Sequence, residues 1–162
     1  MELKRRFWQR NVFICLFIFM FAVYLFFGLQ FAEATNYEIS ATLEIPSLNI
    51  ESDVTKLRLI DHELKAPETI VGSFSKNENK TLLIGHSSTV FEGLDKVQIG
   101  ATVVYDEDMF TVTDIEMVKK SDINMNTLLR SAEKRTIIIM TCAGERVGEA
   151  DATHRLIITA EV

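Results

Sequence analysis

The sequence predicts a mainly β domain of short strands, preceded by one N-terminal transmembrane helix. Three observations carry this. Residues 12–29 contain no charged side chain and are mostly Phe, Ile, Leu and Val. The remainder breaks into seven or eight short runs rich in β-branched residues, separated by turn signals. The chain is 48 % hydrophobic with seven Gly and two Pro, which excludes collagen-like, low-complexity and largely disordered classes. Short strands of this number, with one or two small helices, fit a closed or nearly closed β-barrel or a sandwich. Periodicity leaves both open.

The apolar run extends over 12–31, about the length that crosses a bilayer as a helix. Lys4, Arg5, Arg6 and Arg10 precede it, and no Lys or Arg follows until Lys56. This asymmetry puts 1–11 in the cytoplasm as a basic segment and the rest of the chain outside, so the expected location is the cell membrane, with a single pass. The competing reading is a cleaved signal peptide, since Ala32-Glu33-Ala34 fits the A-x-A pattern. The run is longer than a usual signal-peptide core, which favours the uncleaved anchor. Cys15 lies within the span as a small apolar residue. Residues 32–40 read as a linker and 41–162 as the folded domain.

Within that domain, Thr42-Leu-Glu-Ile45 alternates and stops at Pro46, and the pattern resumes over 48–54. Residues 57–64 fit a turn of helix. Thr81-Leu-Leu-Ile-Gly85 is a short apolar strand. Residues 101–105 and 109–118 are strands around the acidic turn Asp106-Glu107-Asp108. Residues 122–132 read as helix with Asp122 as N-cap. Thr136-Ile-Ile-Ile-Met-Thr-Cys142 is the strongest strand, apolar on both faces, and 153–162 closes the domain. The 17 Lys+Arg against 23 Asp+Glu, net −6, argue against nucleic acid as a partner. The size of the domain suits one hydrophobic core.

Few residues there can do covalent chemistry. Cys142 is the one cysteine outside the apolar run, at the expected junction of the central strand with the loop Ala143-Gly-Glu-Arg-Val-Gly148. A thiol without a disulfide partner is either a buried small hydrophobe or a reactive group. A nucleophilic thiol needs a base or a cation beside it. His86 ends Leu-Leu-Ile-Gly-His86, again at a strand-to-loop junction, after a glycine that permits close approach. His62, between Asp61 and Glu63, reads as a solvated surface group. His154 and Arg155 are adjacent in the last strand, so they point to opposite faces. His154 shares its face with Leu156, Ile158 and Ala160, the more core-like side; Arg155 shares its own with Ile157 and Thr159. Arg155 is either a surface ion pair with Glu149 or Asp151, or a guanidinium for the oxyanion of an acyl transfer. Arg146 is the competing cation.

The order His86, Cys142, Arg155 resembles that of the sortases, membrane-anchored cysteine transpeptidases. Leu43-Glu-Ile-Pro-Ser-Leu-Asn-Ile50 looks like the family's first strand. Leu83-Ile-Gly-His86, with Phe91 and Leu94 after it, looks like the segment of the catalytic histidine, and Gln98-Ile-Gly100 like the passage into the middle strands. Ile138-Ile-Met-Thr-Cys142 is similar to the family's Thr-Leu-x-Thr-Cys, with Ile138 and Ile139 in place of Thr and Leu. Thr153-His-Arg-Leu-Ile-Ile158 resembles the arginine-bearing last strand. The departures suggest a divergent subgroup.

The resemblance implies an eight-stranded β-barrel with Cys142, His86 and Arg155 along one groove. Cys142 then attacks a backbone carbonyl in the C-terminal sorting signal of a surface protein, of Leu-Pro-x-Thr-Gly type, and forms a thioester. His86 handles the leaving and entering amines, and Arg155 steadies the oxyanion or the peptide. The acceptor is an amine of a peptidoglycan precursor or of a pilin lysine. Thr141 is a candidate for shaping the substrate site, although strand alternation points it away from Cys142. No cofactor is implied, and no metal-ligand spacing is visible. The acidic turn at 106–108 reads as a solvated hairpin turn in preference to the calcium site of some sortases. Two rival readings stand beside this one: a cysteine peptidase ending in hydrolysis, and an anchored β-barrel that binds a partner without turnover.

Overall fold

The computed structural model describes Met20 and residues 37–60, 63–147 and 151–162. Apart from Met20, the expected span over 12–31 lies outside the described residues, as do Ala32, Ala34, His62 and Glu149. Among the described residues no helix is long and apolar enough to cross a membrane. Residues Tyr37–Val162 form one compact unit.

Eight strands build that unit: β1 (Ile39–Ile45), β2 (Ile50–Lys56), β3 (Val71–Asn77), β4 (Lys80–Ile84), β5 (Thr102–Tyr105), β6 (Asp108–Lys119), β7 (Thr136–Val147) and β8 (Asp151–Glu161). They close into a barrel in the order β1-β2-β3-β4-β7-β8-β6-β5, and β5 returns to β1 through Leu43–Tyr105 and Glu44–Val104. Closure leaves the sheet without a free edge and decides between barrel and sandwich. Two neighbouring pairs are parallel, β2 with β3 and β4 with β7; the others are antiparallel.

Strand alternation sorts the apolar residues into two layers. Leu43, Ile45, Leu83, Ile137, Ile139, Leu156 and Ile158 fill the barrel with Phe91 and Val103. On the outer face of β4, β7 and β8, Leu82, Ile84, Ile138 and Ile157 form a second cluster under Leu129, with Phe74, Ile123, Met125 and Met140 packed against it. This explains why β7 is apolar on both faces.

Four expectations are corrected. β3 was not foreseen, because Val71-Gly-Ser-Phe-Ser-Lys-Asn shows no apolar alternation; its buried Ser73 is satisfied by a hydrogen bond to the Thr55 carbonyl at 3.2 Å. Residues 57–60 and 63–64 hold no helix; Ile60 and Glu63 exchange backbone hydrogen bonds of 3.1 and 2.8 Å instead. The helix expected over 122–132 shrinks to a 3-10 turn, Lys120–Asp122, and one turn of α-helix, α1 (Met125–Leu128). Its cap is Asn124, whose side chain accepts from the Asn126 and Thr127 N–H groups, and not Asp122. Finally, β7 runs on to Val147, so Cys142 lies inside a strand and Ala143–Val147 is not a loop. The turn between β5 and β6 is the hairpin expected, with Asp106 and Glu107 both at positive φ and Asp108 paired to Arg135 at 2.6 Å.

Candidate active site

The parallel pairing of β4 with β7 sets the site. Ile84 lies opposite Met140, so one step on brings Gly85 beside Thr141, and a second brings His86 beside Cys142. The Thr141 hydroxyl donates to the Gly85 carbonyl at 2.8 Å, which ties the two strand ends together at that step. On the other side of β7, Cys142 is the register partner of Arg155 in β8. Residues paired across strands present their side chains to the same face. His86 continues the face of Leu82 and Ile84, Cys142 that of Ile138 and Met140, and Arg155 that of Ile157. Three adjacent strands therefore deliver imidazole, thiol and guanidinium just beyond the outer apolar layer.

All three line one groove of about 780 Å³. Its apolar lining includes Phe74, Ile84, Ile123, Met125, Leu129 and Met140. A smaller cavity of about 100 Å³ adjoins it, lined by His86, Cys142, Ser87, Ser88, Arg146 and Asp151. Cys142 is free and half-buried, and it lines the groove. Arg146, the competing cation, faces the small cavity and is exposed.

His86 is held through its backbone. Its carbonyl accepts from Thr89 at 3.3 Å and from Phe91 at 3.1 Å, closing the turn after β4. Gly85 is required here, but not for a substrate: a Cβ at this position would lie 2.5 Å from Val90 and 2.9 Å from Phe91. Thr141 is buried, and its hydroxyl holds the Gly85 carbonyl at the base of the His86 turn, while the residue also borders the groove beside Cys142.

Arg155 makes the ion pair with Asp151 that the sequence allowed, but from inside the groove and not on the open surface. Its side chain is only 14 % exposed and forms an ion pair with Asp151, Nη2 to carboxylate 2.6 Å. Nη1 donates to the carbonyls of Ala152 and His154, both at 2.9 Å. Among the described residues, three of the five guanidinium N–H donors are used in this way. Asp151 also pairs with Lys120 and accepts from the Ala152 N–H. Lys120 first, then Arg155 and this N–H, hold its carboxyl well below the usual carboxylate range. Sequence reasoning weighed Asp151 as a surface partner but missed that it anchors a groove residue.

Immediately after Cys142 the β7–β8 register shifts between Ala143 and Arg146. Gly144 makes this bulge at φ 78°, where a Cβ would meet His154 Nδ1 and Thr153 Oγ1 at 2.8 Å. His154 sits opposite Ala143, its Nδ1 2.8 Å from Thr153 Oγ1, and does not line the Cys142 groove.

A closed β-barrel with a thiol, an imidazole and a guanidinium on one outer groove defines the class. The family model described as Sortase domain matches residues 43–162, and the chain belongs to the sortase family. The solved structures give the same fold. Sortase A from Corynebacterium diphtheriae aligns at TM-score 0.58 and 17 % identity, over 78 % of this chain and 62 % of that one. This chain therefore spans less than two thirds of that relative's length. Sortase C-1 from Actinomyces oris aligns at TM-score 0.60 and 19 % identity, covering 83 % and 77 %. Clostridium perfringens sortase C with the C-terminal cell wall sorting motif aligns at TM-score 0.57 and 21 % identity, covering 76 % and 70 %. Among curated proteins no relative matches.

Proposed function

We propose that the chain is a membrane-anchored cysteine transpeptidase acting on sorting signals of surface proteins. The observation that carries this is the convergence of His86, Cys142 and Arg155 on one groove with an apolar wall. The Cys142 thiolate attacks a peptide carbonyl carbon and its π electrons move to oxygen. The Arg155 guanidinium meets that oxyanion in a partly desolvated site. Collapse of the intermediate breaks the C–N bond, and His86 in its protonated form gives a proton to the leaving amine. The acyl part stays on sulfur as a thioester. An incoming amine, from a peptidoglycan precursor or a pilin lysine, attacks the thioester as His86 takes its proton, and the thiolate is released.

The basic 1–11 segment and the apolar run over 12–31 support an anchor that holds the domain at the outer membrane face. Substrates tethered to the same face reach high effective concentration, so modest affinity for a short peptide suffices.

Intact-mass spectrometry of the full chain with sorting-signal peptides tests the reading. The expected result is a mass gain equal to the peptide's N-terminal part, absent in Cys142→Ala and chased off by an added amine. Decay of the adduct to free acid, with no amine product, would show a hydrolase. No adduct with any peptide, together with a thiol that resists alkylation until unfolding, would leave a binding domain.

A further inference from the structure

The charge of the groove opposes that of its domain. Residues 35–162 carry 13 Lys+Arg against 21 Asp+Glu, net −8. Yet the fully charged side chains lining the groove are Lys76, Lys120 and Arg155, and among the described residues no carboxylate lines it. Asp151, in the lining of the adjoining small cavity, pairs with Lys120 and Arg155 and offsets one charge of the three. Among the described residues the groove keeps an excess of two positive charges, in a domain whose carboxylates outnumber its cations.

The two lysines come from different elements. Lys76 is on β3, exposed, with Asn126 Oδ1 at 3.5 Å as its hydrogen-bond partner. Lys120 opens the 3-10 turn after β6. Apolar side chains including Phe74, Ile123, Met125 and Met140 line the same groove. Low-dielectric walls concentrate the field of like charges in a cleft and raise the local concentration of opposite charge.

We propose that this groove selects a sorting peptide that carries an acidic residue, with Lys76 and Lys120 as the residues that select it. The inference rests on the proposed function and adds the charge of the substrate. Seated along the apolar wall, such a peptide places a carboxylate near one or both ammonium groups. A neutral peptide forgoes these contacts, and a basic one meets repulsion.

The test is direct binding, read by fluorescence anisotropy, of Leu-Pro-x-Thr-Gly-type peptides bearing a neutral dye. In each set one position is Glu, Gln or Lys. The full chain in mild detergent is used, as Cys142→Ala so that binding is read without turnover. At one or more positions Glu should bind about 3- to 5-fold tighter than Gln, and Lys weaker than both. The gap should shrink between 50 mM and 500 mM salt, as it would for partly exposed charges. Adding Lys76→Glu to this variant cancels the excess of positive charge and should bring the Glu, Gln and Lys peptides to similar affinity. Equal binding of the Glu and Gln peptides at every position would overturn the proposal. So would a Lys76→Glu variant that weakens all three peptides by one factor, the mark of a merely structural lysine. Adduct formation on wild-type Cys142 is scored separately. Adducts without charge preference sink this inference alone, and charge preference without adducts sinks the transpeptidase reading alone.

Discussion

Arg155 is useful only if its guanidinium is held still, and Asp151 is what holds it. A charge-assisted bond of 2.6 Å and two carbonyl contacts fix its plane. Asp151→Asn should lower kcat/KM roughly 10-fold, mostly through kcat, with Asp151→Glu recovering part of the loss. An equal loss confined to KM would mean that Asp151 serves peptide binding instead. The carboxyl is depressed in the folded state, so its contribution to stability is complete above the unfolded value of 3.8 and is lost as pH falls below it. Acid titrations followed by circular dichroism should therefore show wild type and Asp151→Asn converging in stability below that pH, with a constant gap through neutrality. Thr141 acts one step further back. Thr141→Val leaves the buried Gly85 carbonyl without its partner and should cost about 1–3 kcal/mol, whereas Thr141→Ser keeps the bond. Thermal melts of the two variants separate the hydroxyl from the methyl group.

Elements place these residues, and their legibility in the sequence follows from how each strand is buried. β7 and β8 were readable because apolar and β-branched residues run through them without a break, and strand alternation put Arg155 on the Cys142 side and His154 on the other. β3 was unreadable because it buries Gly72 and Ser73 in place of large apolar groups, and a hydrogen bond replaces hydrophobic pattern there. The parallel neighbours β2–β3 and β4–β7 were hidden for another reason. Pairing partners far apart in sequence leave no local signal, yet β4–β7 is what sets His86 beside Cys142. The β7 bulge was hidden too, since Gly144 read as a loop residue. Its positive φ and its contact with His154 Nδ1 leave no room for a side chain. Gly144→Ala should destabilise the domain by about 1–2 kcal/mol through backbone strain alone. Because the shift begins at Ala143, the variant should also slow alkylation or acylation of Cys142, a change that a remote loop substitution would not produce.

At the scale of the whole molecule the barrel carries stability and the outer layer carries the site. Closure buries the main cluster, with Leu43, Ile139 and Ile158 at 0 % exposure. The outer layer has only Leu82, Ile84, Leu129, Ile138 and Ile157 buried, under the single turn of α1 and the segments around it. Such a layer is more easily loosened than the barrel beneath it, because fewer apolar contacts resist local opening. Two truncations separate the roles. Ile139→Ala opens a cavity inside the barrel and should cost about 2–5 kcal/mol, a large share of a typical domain's 5–15 kcal/mol. Its urea midpoint should fall with an unchanged slope, the signature of lost stability within one cooperative unit. Leu129→Ala thins the groove wall and should weaken peptide binding severalfold while moving the midpoint less, since the outer layer can collapse onto the space. Equal midpoint shifts with no change in peptide affinity would show that the outer layer is simply more core. The opposite split would show that the groove is built as a yielding wall on a rigid floor, with the thiol, imidazole and guanidinium set in the floor where strand register, not side-chain packing, decides their spacing.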